Sequence, residues 1–181
     1  MSARISFEAE LKLLKKDLFE MARLIEKAIE NIMIAFETQD EELAKEIIQG
    51  DRIVNDIEKA IEARCLSLIV KQQPVAGDLR MVTTALKVVT DMERIGDHAA
   101  DIAELIIREK RDHIYDLVKY IPDMGQATKA MVLDAVEAFT GKNLDMAREI
   151  IKRDDIVDDL FDKVKLEVAN ILRETTEHVD Q

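Results

Sequence analysis

The chain has 181 residues, 48% hydrophobic, 35% charged and 4% aromatic, with 5 Gly, 2 Pro, no Trp and a formal net charge of −12. That length accommodates one domain or two small ones, and so few turn formers and aromatics exclude a β-rich fold and favour long helices. The negative balance, without a basic patch, excludes nucleic-acid binding, which needs cations to displace counterions from phosphates; cations or basic protein surfaces suit it better.

Apolar residues Phe7, Leu11, Leu14, Leu18, Met21, Ile25, Ile29, Ile32 and Phe36 recur at three and four, so the first helix is expected from about Ser6 to Glu37. Thr38-Gln39-Asp40 is a polar turn, with Asp40 as the expected N-cap of a second helix. That helix should run to about Gln73 and stop at Pro74. A third is expected from near Asp78 to about Lys110, and the short connections make neighbours antiparallel, giving a three-helix bundle. Residues 111–125, RDHIYDLVKYIPDMG, break the pattern and read as a linker. A fourth helix should start near Pro122 and end at Gly141, and a fifth should follow from Asn143 to about Glu177. No apolar run reaches the roughly 18 residues of a membrane span, and SARISFEAE after Met1 does not read as a signal peptide. The single Cys65 rules out an internal disulfide and suits a reducing compartment. A cytoplasmic protein with no direct membrane insertion is therefore expected.

The organisation is repetitive. AFETQDEELAKEIIQGDRIVNDI from Ala35 aligns without gaps to AFTGKNLDMAREIIKRDDIVDDL from Ala138, an offset of 103 residues, with 10 of 23 positions identical. Two homologous bundles in tandem follow: residues 1–110, and residues 111–181 comprising the linker and an incomplete second bundle. Asp78 plus the offset is Gln181, the last residue, so the second bundle lacks its third helix within this sequence. Val132, Val136, Phe139, Ile150, Val157, Leu160 and Val164 should then line an exposed apolar seam, favouring a homodimer or other homo-oligomer, or another covering segment.

The stretch TDMERIGDHAADIAE, residues 90–104, carries five acidic residues around Gly96, a residue that costs roughly 1 kcal/mol in a helix interior. On a helical wheel Glu93, Asp97, Asp101 and Glu104 fall within roughly 80°, bordering the apolar set Met92, Ile95, Ala99, Ile102, Ala103 and Ile106, the expected core side. The second helix carries a matching stripe, Asp51, Asn55, Glu58 and Glu62. If the two helices are antiparallel neighbours, the stripes can face each other and gather oxygen ligands. That favours a divalent or trivalent cation with hard ligands: iron, manganese, magnesium or calcium, with zinc also compatible. Gly96 would permit the close approach. The plainer reading is a solvated face, since like charges at i,i+4 repel and such stripes usually pair with Lys or Arg; Arg94 is placed to do so. His98 lies off the stripe, and His113 and His178 lack metal-ligand spacing.

TDMERIGDHAADIAE, with DRIVNDIE upstream and DDIVDD in the second half, resembles the PhoU family of bacterial phosphate-transport regulators. The resemblance spans nearly the whole chain and implies two tandem three-helix bundles, all-α, with a repeated motif of Glu or Asp, three residues, then Asp. In some members these acidic residues hold iron or zinc clusters. Glu93, Asp97 and Asp101 match the motif, as do Asp154 and Asp158; Asp51 and Asn55 match with an amide in second place, and Phe161 replaces the carboxylate equivalent to Glu58. The resemblance implies a regulator that restrains phosphate uptake and Pho-regulon signalling. Its implied partners are the ATPase subunit of the phosphate ABC transporter and a sensor histidine kinase.

Two other functions compete. A helical di-iron carboxylate enzyme needs Glu-x-x-His pairs, and none of the three His residues has a Glu three positions before it. No nucleophile–base arrangement or Gly-rich phosphate loop is visible, so no enzymatic activity is expected. A metal-free helical adaptor is the other alternative.

Overall fold

The computed structural model describes residues 3–108 and 118–177, and all regular structure in them is helical. The helices are α1 (Ala3–Thr38), α2 (Glu41–Gln72), α3 (Ala76–Arg108), α4 (Ile121–Gly141) and α5 (Leu144–Glu177). Expected and observed boundaries agree within a turn; residues 111–117 of the expected linker, and His113 and His178, lie outside the described residues.

Each break has a local cause. Asp40 caps α2, its Oδ1 accepting the backbone N–H of Glu42 and Leu43 at 3.0 Å, which satisfies donors that have no partner inside the helix. Asn143, the same position in the repeat, accepts the N–H of Met146 at 3.1 Å. The residues before these caps, Gln39 and Lys142, both take left-handed backbone, φ 57 and 55. The repeat thus preserves the turn as well as the sequence. At the α2–α3 connection Gln73 and Ala76 are left-handed, φ 45 and 46, on either side of Pro74.

α1 is the central element, packing against α2, α3 and α4, while α5 packs along α4. Leu14, Leu18, Met21 and Ile25 of α1 are fully buried among Ile61 and Cys65 of α2 and Val82 and Val89 of α3. Val132 and Val136 of α4 belong to this same cluster. A second cluster joins Ile32 and Ala35, at the end of α1, to Ala44, Ile47, Ala99, Ala103 and Ile106. α4 runs antiparallel to α1: Lys15 donates to the Thr140 carbonyl at 2.6 Å, and Lys129 lies 3.4 Å from Glu30 toward the other end. Gly125 lets the two helices touch, since a Cβ there would collide with Met33.

The expected exposed seam is corrected. Val132, Val136 and Leu160 are buried, and Phe139, Ile150, Val157 and Val164 are half-buried. Val132, Val136 and Phe139 pack into the cluster built on α1, and Phe139 and Ile150 also line an open groove beside α3. The apolar side chains that α5 does expose are others: Leu144, Ile151, Ile156, Phe161, Leu166, Val168 and Leu172.

Candidate functional site

The two acidic stripes do face each other. Gly96 of α3 is buried against α2, and a Cβ on it would stand 3.2 Å from Val54 Cγ1 and 3.6 Å from Asp51 Oδ1. This is the close approach that the glycine permits, and it sets the carboxylates of α3 beside those of α2.

The electrostatics report the crowding. Asp51 is held above the usual carboxylate range first by burial, then by the charge of Asp97, with a smaller push from Asp101; the Asn55 amide, donating to Asp51 Oδ2 at 2.8 Å, works against this. Glu58 is raised by burial, then by Glu62 and Asp97, with Lys59 opposing. Glu93 is raised by burial, then by Asp97, Glu58 and Asp51. Asp97 is the charge common to all three. Removing a carboxylate from water disfavours its ionised form, and a neighbouring anion does so again. Asp51 Oδ1 is buried and has no hydrogen-bond partner among the described residues, an arrangement that costs free energy unless something else meets it.

Cations offset this crowding only in part: Lys59 opposes the rise at Glu58. Arg94 reaches only Asp91, at 4.0 Å with both side chains exposed, and His98 stands 3.7 Å from Asp101, also in solvent. The pairing of Arg94 with the stripe is therefore not formed. Asp101 and Glu104 are exposed at the outer end of the stripe. Ile102, expected on the core side, is left exposed as well.

Asp51, Asn55, Glu58, Glu93 and Asp97 are thus brought together and half-buried, with Asp101 at the rim. Their donor chemistry fits a hard cation: all-oxygen, anionic, with one carboxylate oxygen already stripped of partners. The side chains are not gathered around one point, since no group of three or more His, Cys, Asp or Glu among the described residues is arranged to hold a metal ion. Asp154 and Asp158 are exposed on α5, which packs along α4 and not along a second acidic helix. Next to them Arg153, the counterpart of Gly50, reaches across to Asp134, the counterpart of Asn31, at 2.6 Å.

The first half has Gly50 and Asn31 at the positions of that pair, and there a groove is open. Behind Asp51, a groove of about 210 Å³ is lined by Lys27 and Asn31 of α1 and Glu46 and Gly50 of α2, with Gly96 at its floor. None of these residues apart from Gly96 stands out in the sequence; the isolated Gly50 inside a helical run is the only trace of it. Arg64 was equally silent: it ties α2 to α1 through Asp17 and Glu10, both at 2.8 Å.

A five-helix chain built on a tandem repeat, with an acidic face where α3 crosses α2, belongs to a definite class of all-α proteins. Residues 18–106 and 121–181 match the PhoU domain. A phosphate-specific transport system accessory protein PhoU homolog of Clostridium acetobutylicum is 44% identical over 176 residues, covering 97% of this chain and 80% of that protein. The accessory protein PhoU of Escherichia coli is 31% identical over 168 residues, covering 93% and 70%. Among solved structures, the phosphate transport system regulatory protein PhoU from Streptococcus pneumoniae superposes with a TM-score of 0.84 at 25% identity, covering 93% of this chain and 79% of that one. PhoU from Pseudomonas aeruginosa gives a TM-score of 0.84 at 28% identity, covering 96% and 84%. The chain belongs to the PhoU family, and its fold is the all-α tandem helical bundle of those structures. Among the described residues, no helix is long and apolar enough to cross a membrane.

Proposed function

We propose that this chain is a cytoplasmic regulator of phosphate transport, not an enzyme, that restrains phosphate uptake and Pho-regulon signalling by docking on other proteins. The family supports this, because its relatives carry the names of accessory and regulatory proteins of phosphate transport. The partners are the ATPase subunit of the phosphate ABC transporter and a sensor histidine kinase, and the chain acts as a homodimer or other homo-oligomer.

The observation that carries the reading is the crowding of like charge around Asp97 on the α2–α3 face. On a chain of net charge −12, such a face attracts cationic surfaces and speeds their encounter. Glu93, Asp97 and Asp101, assisted by Asp51, Asn55 and Glu58, are the residues we assign to holding a cation, iron or zinc first, then magnesium, manganese or calcium. Asp154 and Asp158 are their second-half counterparts and need ligands from a further helix. A bound ion would supply positive charge that offsets the repulsion. For their part, Asp51 offers an oxygen already desolvated, Asn55 orients that carboxylate, and Gly96 keeps the two helices close enough for both stripes to act together.

The test pairs elemental analysis of protein purified without chelator with binding to the ATPase subunit and the kinase. Wild type is compared with the Glu93→Gln/Asp97→Asn double mutant across a salt series. Weaker docking by the mutant, and wild-type docking that fades as salt rises, is expected. Unchanged, salt-insensitive docking would move the contact zone elsewhere. A metal-free adaptor is the second reading, favoured by the lack of three converging donors among the described residues. A docking defect in the mutant with no metal in the wild type would select it.

A further inference from the structure

The two stripes do not end with their carboxylates. On α2 the row Asp51, Asn55, Glu58 and Glu62 continues at the same helical spacing into Leu66 and Val70. On α3 the row that reaches Glu93 and Asp97 begins with Leu79, Thr83, Leu86 and Thr90. Gly96 against Asp51 and Val54 fixes the register of the two helices. Counted from there toward the connection at Pro74, Leu66 and Val70 stand beside the turn of α3 that carries Leu79 and Thr83. The α2–α3 face is thus acidic in one half and apolar in the other. Leu66 is 57% exposed, Val70 74% and Leu79 38%. Thr83 and Thr90 donate their hydroxyls to the carbonyls of Leu79 and Leu86 at 3.0 and 3.1 Å, so this half offers mostly carbon. Lys59 and Lys87 are exposed where the two halves meet.

The fold does not require aliphatics there. With the offset of 103 carried along α2, Ile61, Cys65 and Leu68 of the core correspond to Val164, Val168 and Ile171, all apolar, while Leu66 and Val70 correspond to Ala169 and Arg173. The apolar half is also distinct from the groove beside α4 and α5. Gly77, Arg80, Met81 and Thr84 of α3 line that groove, and Leu79 and Thr83 lie on the other side of the helix. A run of exposed aliphatics continuous with a concentration of charge marks a contact surface.

We infer that the α2–α3 face docks a separate basic protein through a composite contact. Leu66, Val70 and Leu79 meet an apolar patch of the partner, and Glu58, Glu93 and Asp97 meet its Lys or Arg residues. The inference rests on the docking reading of the acidic face proposed above and adds the apolar half to it. The rise from Glu58 to Leu66 and Val70 is roughly 12–18 Å, so the partner carries its cations at that distance from its apolar patch. The acidic half steers the encounter and the apolar half sets how long it lasts. An anionic lipid surface does not fit, because a bilayer that met the aliphatics would also meet the carboxylates. A second copy does not fit either, since a chain of net charge −12 without a basic patch offers those carboxylates no counterpart.

The test measures association and dissociation rates of the full chain with the ATPase subunit and with the kinase across a salt series. Leu66→Gln/Val70→Gln removes the apolar half without changing charge, and circular dichroism checks that the variant keeps its helix content. Dissociation about tenfold or more faster from at least one of the two proteins, with the salt dependence of association kept, is the expected result. Glu93→Gln/Asp97→Asn should do the reverse, slowing association and flattening its salt dependence. Docking indifferent to Leu66→Gln/Val70→Gln but weakened by Glu93→Gln/Asp97→Asn overturns the inference and leaves the acidic-face reading standing. Loss in Leu66→Gln/Val70→Gln when wild-type association is insensitive to salt overturns the basic character assigned to the partner. If neither protein binds the wild type, the docking reading falls and the inference falls with it. Wild-type self-association, or binding to phosphatidylglycerol vesicles, that Leu66→Gln/Val70→Gln abolishes would assign the patch to a second copy or to a membrane, and overturns it too.

Discussion

Asp97 is the residue on which the acidic face turns, because its charge raises Asp51, Glu58 and Glu93 together. The sign of the consequence is definite. A carboxylate whose folded pKa is raised binds its proton more tightly in the native state than in the unfolded one. Stability therefore falls as pH rises through the interval just above the ordinary values, 3.8 for Asp51 and 4.5 for Glu58 and Glu93. At neutral pH and without metal the cluster is a net cost. Asp97→Asn should then raise the melting temperature in EDTA at pH 7 and flatten its dependence between roughly pH 4 and 6. The same change should weaken metal binding, so titration of metal into wild type and mutant should stabilise the wild type more. A mutant that melts lower than wild type in EDTA at pH 7 would contradict this account. Ala76 offers a separate residue-scale test. It holds φ 46 with a Cβ, which costs an L-residue roughly 1–2 kcal/mol relative to the right-handed helix. Ala76→Gly relieves that clash while adding unfolded-state freedom, for a net gain of about 0.5–1 kcal/mol in chemical denaturation. The Gly at position 77, one residue too late for the left-handed site, does not relieve it.

At the scale of the helix, three-and-four periodicity and punctuation made the elements legible. Asp40 was readable as a cap because it follows a polar turn and precedes an apolar-periodic run, and its Oδ1 does accept from Glu42 and Leu43. Asp40→Ala should cost about 1 kcal/mol in denaturant unfolding, with Asn143→Ala costing a similar amount for α5, whose cap is the repeat's copy. If neither moves the midpoint, the caps satisfy nothing that water does not. The meeting of the α2 and α3 stripes was legible too, from the wheel positions of Asp51, Glu58, Glu93 and Asp97 and the short connection at Pro74. What the period could not supply was which neighbour each apolar face meets. Val132 and Val136 have the same spacing whether they point to solvent or to another helix; only the placement of α4 along α1 decides. For the same reason the exposed apolar row of α5, from Leu144 to Leu172, was not singled out. Nor does periodicity tell how far a carboxylate is from its neighbour's, so it predicted convergence of donors where the side chains stand side by side.

At the scale of the whole molecule, the repeat suggests two halves while the core joins them. Val136 is 2% exposed and sits in one cluster with Leu14, Leu18 and Ile25 of α1. Lys15 and Lys129 reach across the same α1–α4 contact. A cavity there would be felt on both sides, so Val136→Ala should cost roughly 2 kcal/mol and should shift the whole transition. The chain supplies its own two reporters. Its tyrosines, Tyr115 and Tyr120, both follow α3 in the sequence, and Tyr120, at the start of α4, reports on the second half. Cys65, the only thiol, is fully buried in α2, and burial pushes it up to about 11, so it reacts only when the first half opens. In a urea titration the tyrosine fluorescence and the Cys65 labelling should change at the same midpoint, the mark of one cooperative unit, and Val136→Ala should move both together. Tyrosine signal lost at low urea while Cys65 stays protected, with Val136→Ala moving only the first of the two, would instead make the halves separate folding units that merely lie against each other.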